Sequence, residues 1–130
     1  MIPIQQTKFH SSSQKGNCLA ACVASLLDLT LAEVPQFENF NSGVWHDKLI
    51  DFLKVRGYEL IRFDDYSDLS FYFTPQGIEN LYYIANGQSP RDLSINHSVI
   101  YKQDQLVFDP HPSNSGILSE YFFFAVRQRN

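Results

Sequence analysis

Three residues with reactive side chains, Cys18, His97 and Asp109, lie far apart in the sequence. Asn17 stands at an N-cap position, and the residues after Cys18 are rich in Ala and Leu, which predicts that the cysteine opens a helix. A thiol at a helix start lies near unpaired backbone N–H groups and the positive end of the helix dipole, and both lower a thiol pKa. Such a thiolate could attack a carbonyl carbon, and the same N–H groups could hold the oxyanion.

A lone cysteine at a helix start is more often a small buried hydrophobe, so the case depends on the other two residues. His97 and Asp109 lie in two segments of β character, 95–101 and 105–109, separated by three residues. If those three residues form a hairpin loop, His97 lies directly opposite Asp109, with the Cβ atoms about 5 Å apart. A carboxylate there fixes the imidazole tautomer and stabilises the imidazolium. A loop longer or shorter by one residue puts the two side chains on opposite faces of the sheet.

The rest of the chain predicts the elements that must position this Cys–His–Asp site. Helices are predicted from Cys18, from the capping-box sequence 30–33 to Pro35, and from about Val44 to Arg56 with Gly57 as the stop. Short aromatic and β-branched runs predict strands, and the run 121–124 predicts a strand buried on both faces. Helices followed by strands indicate an α+β fold in which a helix packs on an antiparallel sheet. The predicted strands are 58–63, 81–85, 95–101, 105–108 and 121–127.

Composition excludes some classes of function. The 130 residues correspond to one domain, 1–130, and a net charge of −4 without a basic block argues against nucleic acid as a partner. No apolar run approaches the roughly 18 residues of a membrane span, and the N-terminus lacks a signal-peptide pattern. Cys18 and Cys22 are badly spaced for a disulfide within one helix. We therefore expect free thiols in a reducing compartment, the cytoplasm, and leave the oligomeric state open.

The motifs around these residues resemble those of a known family. Gly-Asn-Cys-Leu-Ala-Ala-Cys at 16–22, His-Ser-Val-Ile at 97–100 and Val-Phe-Asp-Pro at 107–110 are similar to the corresponding motifs of papain-like cysteine peptidases of the bacteriocin-processing C39 type. More closely, the chain resembles small bacterial and phage proteins of that superfamily, through Gln-Thr-Lys-Phe at 6–9, Ala-Ser-Leu-Leu at 24–27, Ser-Pro-Arg at 89–91 and Asp-Pro-His-Pro-Ser at 109–113. The resemblance covers both ends of the chain, whereas residues 40 to 80 are not diagnostic.

The resemblance implies a papain-like fold and a cysteine peptidase that acts on a protein or peptide substrate without a cofactor. It implies that Cys18 is the nucleophile, His97 the general base and acid, and Asp109 the orienting residue. It also implies a glutamine that donates to the oxyanion. That residue usually lies six positions before the nucleophile, where this chain has a serine, so Gln6 and Gln14 are the alternatives and Gln6 is favoured.

Four further residues have both a functional and a plain structural interpretation. Asn17 replaces the Asp that precedes the C39 nucleophile, and we assign it to the helix cap beside the oxyanion site. Arg91 could bind a substrate carboxylate bidentately or be a solvated turn residue. His111 could border a substrate cleft or belong to a rigid exposed turn. Trp45 could line the cleft, although one aromatic residue on an amphipathic helix is more often core.

Other uses of the same residues remain as alternatives. An activated Cys–His pair serves amidases, transglutaminases and acyltransferases as well as peptidases, and a catalytically silent module could use the cleft to hold a peptide. A zinc site can be drawn from Cys18, Cys22, His97 and His111. Its spacing matches no familiar zinc pattern, and Cys22 fits the apolar face of the helix, so we expect no metal.

Overall fold

The elements of the fold follow the sequence patterns closely at both ends of the chain. The computed structural model describes residues 1–129. Their helices are α1 (Cys18–Leu27), α2 (Trp45–Val55) and α3 (Tyr66–Phe73). Their strands are β1 (Tyr58–Phe63), β2 (Tyr83–Gln88), β3 (Asn96–Lys102), β4 (Gln105–Phe108) and β5 (Glu120–Gln128). Single 3₁₀ turns occur at Leu31–Glu33, Phe37–Asn39, Thr74–Gln76 and Ile78–Asn80.

The strands form one antiparallel sheet in the order β1-β5-β2-β3-β4, so the fold is α+β as predicted. Helices cover both faces of this sheet. One apolar cluster joins α1 and α2 to Ile84, Ile100 and Phe124, and a second joins α3 to Val99 and Phe123 on the opposite face. Side chains of successive strand residues alternate between the faces, so β5 contributes Phe residues to both clusters. The expectation of a strand buried on both faces is confirmed for Phe123 and Phe124, whereas Tyr121 is exposed.

One predicted helix differs from the structure, and one helix of the structure was not predicted. The short second helix is a single 3₁₀ turn, Leu31–Glu33, in which the Glu33 carboxylate accepts the Thr30 N–H at 3.1 Å. The capping box is present, but the backbone becomes extended at Val34. The helix cannot continue there because the residue before a proline disfavours the helical conformation. Helix α3 (Tyr66–Phe73) was not predicted from the sequence. No helix within residues 1–129 combines the length and apolar character of a membrane span.

The β3–β4 hairpin has a register different from the predicted one. Lys102 pairs with Gln105, so the loop is the two residues Gln103 and Asp104, both with positive φ of 52° and 61°. Two-residue loops of this kind match the twist of the strands, and the N–H of Asp104 is anchored on the hydroxyl of Tyr83 at 3.0 Å. The usual Asn-Gly or Asp-Gly signal is absent here, which is why the sequence pointed to a three-residue loop.

A β-bulge then reverses the effect of the shorter loop. Tyr101 pairs with Leu106 but Ile100 pairs with Phe108, so one extra residue is inserted in β4. The shorter loop shifts the pairing register between β3 and β4 by one residue from the predicted one. The bulge shifts this register by one more residue in the same direction. Asp109 therefore returns to the face of the sheet on which His97 lies, although the two are not directly opposed.

Gly87 allows β2 to approach the backbone just before β5 closely. It pairs with His97 across β2 and β3, next to a bulge between β2 and β5. A Cβ atom on this residue would lie 1.9 Å from the backbone oxygen of Ser119, which also accepts the Gln88 N–H at 2.9 Å. Only a residue without a side chain fits this contact, so Gly87 helps to fix the position of His97.

We expect Gly87→Ala to lower the free energy of unfolding by about 1–3 kcal/mol or more, because backbone atoms must move to admit the methyl group. Chemical denaturation followed by circular dichroism measures the change. Gly43→Ala is the matched control, since a Cβ there meets nothing within 4 Å, and its effect should stay within about 0.5 kcal/mol. Equal effects of the two substitutions would contradict the assignment.

Candidate active site

Two cavities meet at Cys18, the first residue of α1. The larger, of about 490 Å³, is lined by His97, Gln6 and His111 among others, and the smaller, of about 330 Å³, by Trp45 and other side chains. Cys18 itself is 9% exposed and lines both. Cys18 at the helix start and His97 near the start of β3 therefore line the same cavity.

The predicted hydrogen bond between His97 and Asp109 is present. His97 Nε2 lies 2.7 Å from Asp109 Oδ1, with both side chains buried. The carboxylate also accepts the N–H of His111 at 2.9 Å and, on its other oxygen, the N–H of Gly116 at 2.8 Å. Burial raises the Asp109 pKa, but the hydrogen bonds from His97 and from the two backbone N–H groups outweigh it, and the net pKa is lowered.

This hydrogen bond decides which nitrogen of His97 can act as a base. An ionised carboxylate only accepts, so Nε2 of His97 carries the proton and donates it to Asp109. In the neutral ring Nδ1 then holds the lone pair. The hydrogen bond therefore fixes the orientation of the imidazole ring.

The electrostatics of Cys18 contradict the sequence expectation of a lowered pKa. Burial raises the pKa of the thiol to about 12, and the nearby Glu38 carboxylate adds to that effect. The nearby polar groups of Ser98 and the Leu19 N–H act in the opposite direction, but their effect on the pKa is weaker. Within residues 1–129 no hydrogen bond joins Cys18 to His97; the sulfur lies beside Ser98, the next residue of β3. The resting cysteine is therefore a protonated thiol.

Glu38 is a site residue that the sequence analysis missed. It lies in the 3₁₀ turn Phe37–Asn39 and lines both cavities. Its Oε2 accepts the N–H of Leu19 at 2.8 Å, so Glu38 caps α1 from a distance and occupies one of the N–H groups expected to bind the oxyanion. Burial raises the Glu38 pKa. The sequence carries no signal for this contact, because the cap comes from a separate turn 19 residues along the chain.

The Asn17 side chain does not cap α1, contrary to the sequence expectation. Asn17 stands at the N-cap position, but its side chain makes no capping hydrogen bond. The amide oxygen accepts the N–H groups of Thr7 and Lys8 at 3.0 and 2.9 Å, and the amide nitrogen donates to the Thr7 hydroxyl at 3.0 Å. Asn17 therefore fastens the N-terminal segment to the helix start, and it lines neither of the two cavities.

Gln6 reaches the larger cavity because that segment is fastened. Its backbone N–H donates to the Pro110 oxygen at 3.0 Å, and its Nε2 donates to the Lys8 oxygen at 2.9 Å. One N–H of the Gln6 amide remains, and Oε1 is buried without a partner in residues 1–129. The alternative, Gln14, is exposed and its amide donates to the Phe9 oxygen. Of the two glutamines, Gln6 is the one that lines a cavity together with Cys18.

The three predicted substrate-binding residues lie on the walls of the cavities. Arg91 and His111 line the larger cavity, where the Arg91 guanidinium donates to the Ser113 hydroxyl at 2.9 Å. Burial, Arg91 and His97 lower the His111 pKa. Trp45 lines the smaller cavity and also packs edge-on against Phe124, so both interpretations offered for it hold.

The zinc alternative finds no support in the geometry. Cys22 is fully buried on the apolar face of α1, among the core residues. In the described part of the chain, no three His, Cys, Asp or Glu side chains are grouped as ligands of a metal ion.

Comparison with known protein families, with curated proteins and with solved structures gives no match for this chain.

We expect Asp109→Asn to lower the free energy of unfolding by about 1–3 kcal/mol near neutral pH, because the new amide N–H faces the N–H of Gly116 or of His97. The folded pKa of Asp109 is lowered, so its contribution is present above the ordinary carboxyl pKa of 3.8 and is lost as the pH falls through the folded value. Urea denaturation at neutral and at acid pH should show that the difference in the free energy of unfolding between the variant and the wild type is smaller at acid pH. A difference that is independent of pH, or as small as that of the exposed control Asp51→Asn, would contradict this account.

Proposed function

We propose that this chain is a cysteine peptidase or isopeptidase of papain-like fold, which cleaves an amide bond through an acyl-enzyme on Cys18. The observation that carries the proposal is the buried His97–Asp109 hydrogen bond of 2.7 Å beside the cavity that Cys18 lines. The pair places an oriented imidazole in the same cavity as the thiol. The α+β arrangement, the chain order of Cys, His and Asp, and the motif resemblance support the same conclusion.

The reaction begins with a proton transfer from the thiol. Cys18 is protonated at rest, so His97 Nδ1 takes its proton when the substrate has brought the two groups together. Asp109 stabilises the imidazolium that results. The thiolate then attacks the carbonyl carbon, and the carbonyl π electrons move to oxygen to form the oxyanion.

The oxyanion needs hydrogen-bond donors at the helix start. The Leu19 N–H is already taken by Glu38, which leaves the Cys18 N–H and the remaining amide N–H of Gln6. Two donors of this kind form a typical oxyanion hole. Collapse of the intermediate breaks the C–N bond, and the imidazolium of His97 gives its proton to the leaving amine.

Water completes the cycle. His97 removes a proton from a water molecule, which attacks the thioester carbonyl, and the Cys18 sulfur leaves and recovers the proton. Because Cys18 lines both cavities, an extended protein or peptide substrate can lie across both. Both cysteines are free thiols, which suits a reducing compartment such as the cytoplasm.

We expect a fluorescence-quenched peptide library to be cleaved by the wild-type protein and not by Cys18→Ala. His97→Ala should retain less than about one hundredth of the rate, since it removes the base and acid. Cys22→Ala is the control and should keep most of the activity, because Cys22 lies in the core. Mass spectrometry identifies the products.

Cleavage that survives Cys18→Ala would contradict the proposal. So would a product mixture in which added methylamine, rather than water, is the main acyl acceptor, because that result identifies an acyltransferase on the same residues.

A further inference from the structure

We propose that Glu38 is a positioning residue that keeps the Cys18 thiol protonated at rest, so that the site becomes reactive when the charge of Glu38 is neutralised. The inference rests on the proposed function, in which Cys18 is the nucleophile, and adds a control of that nucleophile. Glu38 reacts with nothing itself; it acts through the cysteine.

The first support is the fixed position of the carboxylate. Phe37 is fully buried and packs edge-on against Phe52 at 5.8 Å between ring centres, which anchors the turn that carries Glu38. Oε2 of Glu38 is bound to the Leu19 N–H at 2.8 Å, one residue beyond Cys18. The carboxylate is therefore held beside the sulfur rather than sampling solvent.

The second support is the second carboxylate oxygen. Oε1 of Glu38 is enclosed and has no hydrogen-bond partner in the described residues. A buried acceptor without a donor is costly, and the S–H of Cys18 is a donor beside it. An ionised Glu38 thus stabilises the thiol twice, because it can accept the S–H and because its charge repels a thiolate.

The third support is the lack of a compensating cation. Within residues 1–129 no Lys, Arg or His forms a salt bridge with Glu38. Lys15, on the loop before α1, lines both cavities with Glu38 but forms no ion pair with it. The other charged or titratable side chains that line these cavities are His10, Cys18, Arg91, Asp92, His97 and His111.

Neutralisation comes from protonation of the Glu38 carboxylate. Burial raises the Glu38 pKa, so its carboxylate takes a proton from solvent at a higher pH than an exposed one does. The thiol proton still goes to His97 Nδ1, and the proton on Glu38 is a separate one.

Glu38→Gln tests the proposal, because the amide oxygen can still accept the Leu19 N–H while the charge is gone. Alkylation of Cys18 by iodoacetamide, located by peptide mass spectrometry across a pH series, measures the thiolate available. We expect the variant to react roughly tenfold faster than wild type near neutral pH, with its profile moved to lower pH. Glu79→Gln, an exposed position, is the matched control and should follow the wild-type profile.

A Glu38→Gln profile that superimposes on wild type, or lies at higher pH, in a variant with unchanged circular dichroism would overturn the proposal and leave Glu38 as a helix cap only. If the variant does not fold, the wild-type protein decides by ¹³C NMR of labelled Glu and Cys. The Cys18 Cβ shift must then respond at the midpoint of the Glu38 carboxyl titration, and no response overturns the proposal.

Failure of this inference is distinguishable from failure of the proposed function. An unshifted alkylation profile together with loss of cleavage in Cys18→Ala removes only the role of Glu38. A shifted profile together with cleavage that survives Cys18→Ala removes the peptidase and leaves a regulated thiol.

Discussion

The hydrogen bond between His97 and Asp109 is the constraint on which the rest of the site depends. It is buried, so its two polar groups must satisfy each other and their neighbours. The backbone N–H groups of His111 and Gly116 complete the shell of the carboxylate, and Gly116 has a φ of 70° that a residue with a side chain rarely adopts. On the other side, Gly87 allows β2 to hold β3 in place. The imidazole is oriented by backbone geometry as much as by its partner.

The sequence predicted this contact but not the strand register that produces it. A direct cross-strand pair was expected from a three-residue loop, whereas the chain uses a two-residue loop and a bulge in β4. The two departures each shift the register by one residue and together preserve the face of the sheet. The shared face of His97 and Asp109 could be predicted because side chains alternate strictly along a strand. The bulge could not be predicted, because no residue type in β4 indicates it.

The environment of the nucleophile was the least predictable part. Helix α1 and its start at Cys18 follow from local composition, but the thiol pKa depends on burial and on Glu38, which comes from a distant 3₁₀ turn. Asn17 shows the same limit: its N-cap position was predicted, yet its amide binds Thr7 and Lys8 instead of the helix. The partners of these polar groups are determined by contacts between distant parts of the chain. Local helix propensity carries no information about such contacts.

The central claim is that Cys18 is a nucleophile activated by His97. The most direct measurement is the rate and position of covalent labelling by a peptidyl vinyl sulfone, located by mass spectrometry in the wild-type protein and in His97→Ala. The account predicts one adduct, on Cys18, with Cys22 unmodified and with a rate that falls at least about tenfold in the variant. An adduct on Cys22, or equal labelling of Cys18 with and without His97, would contradict it.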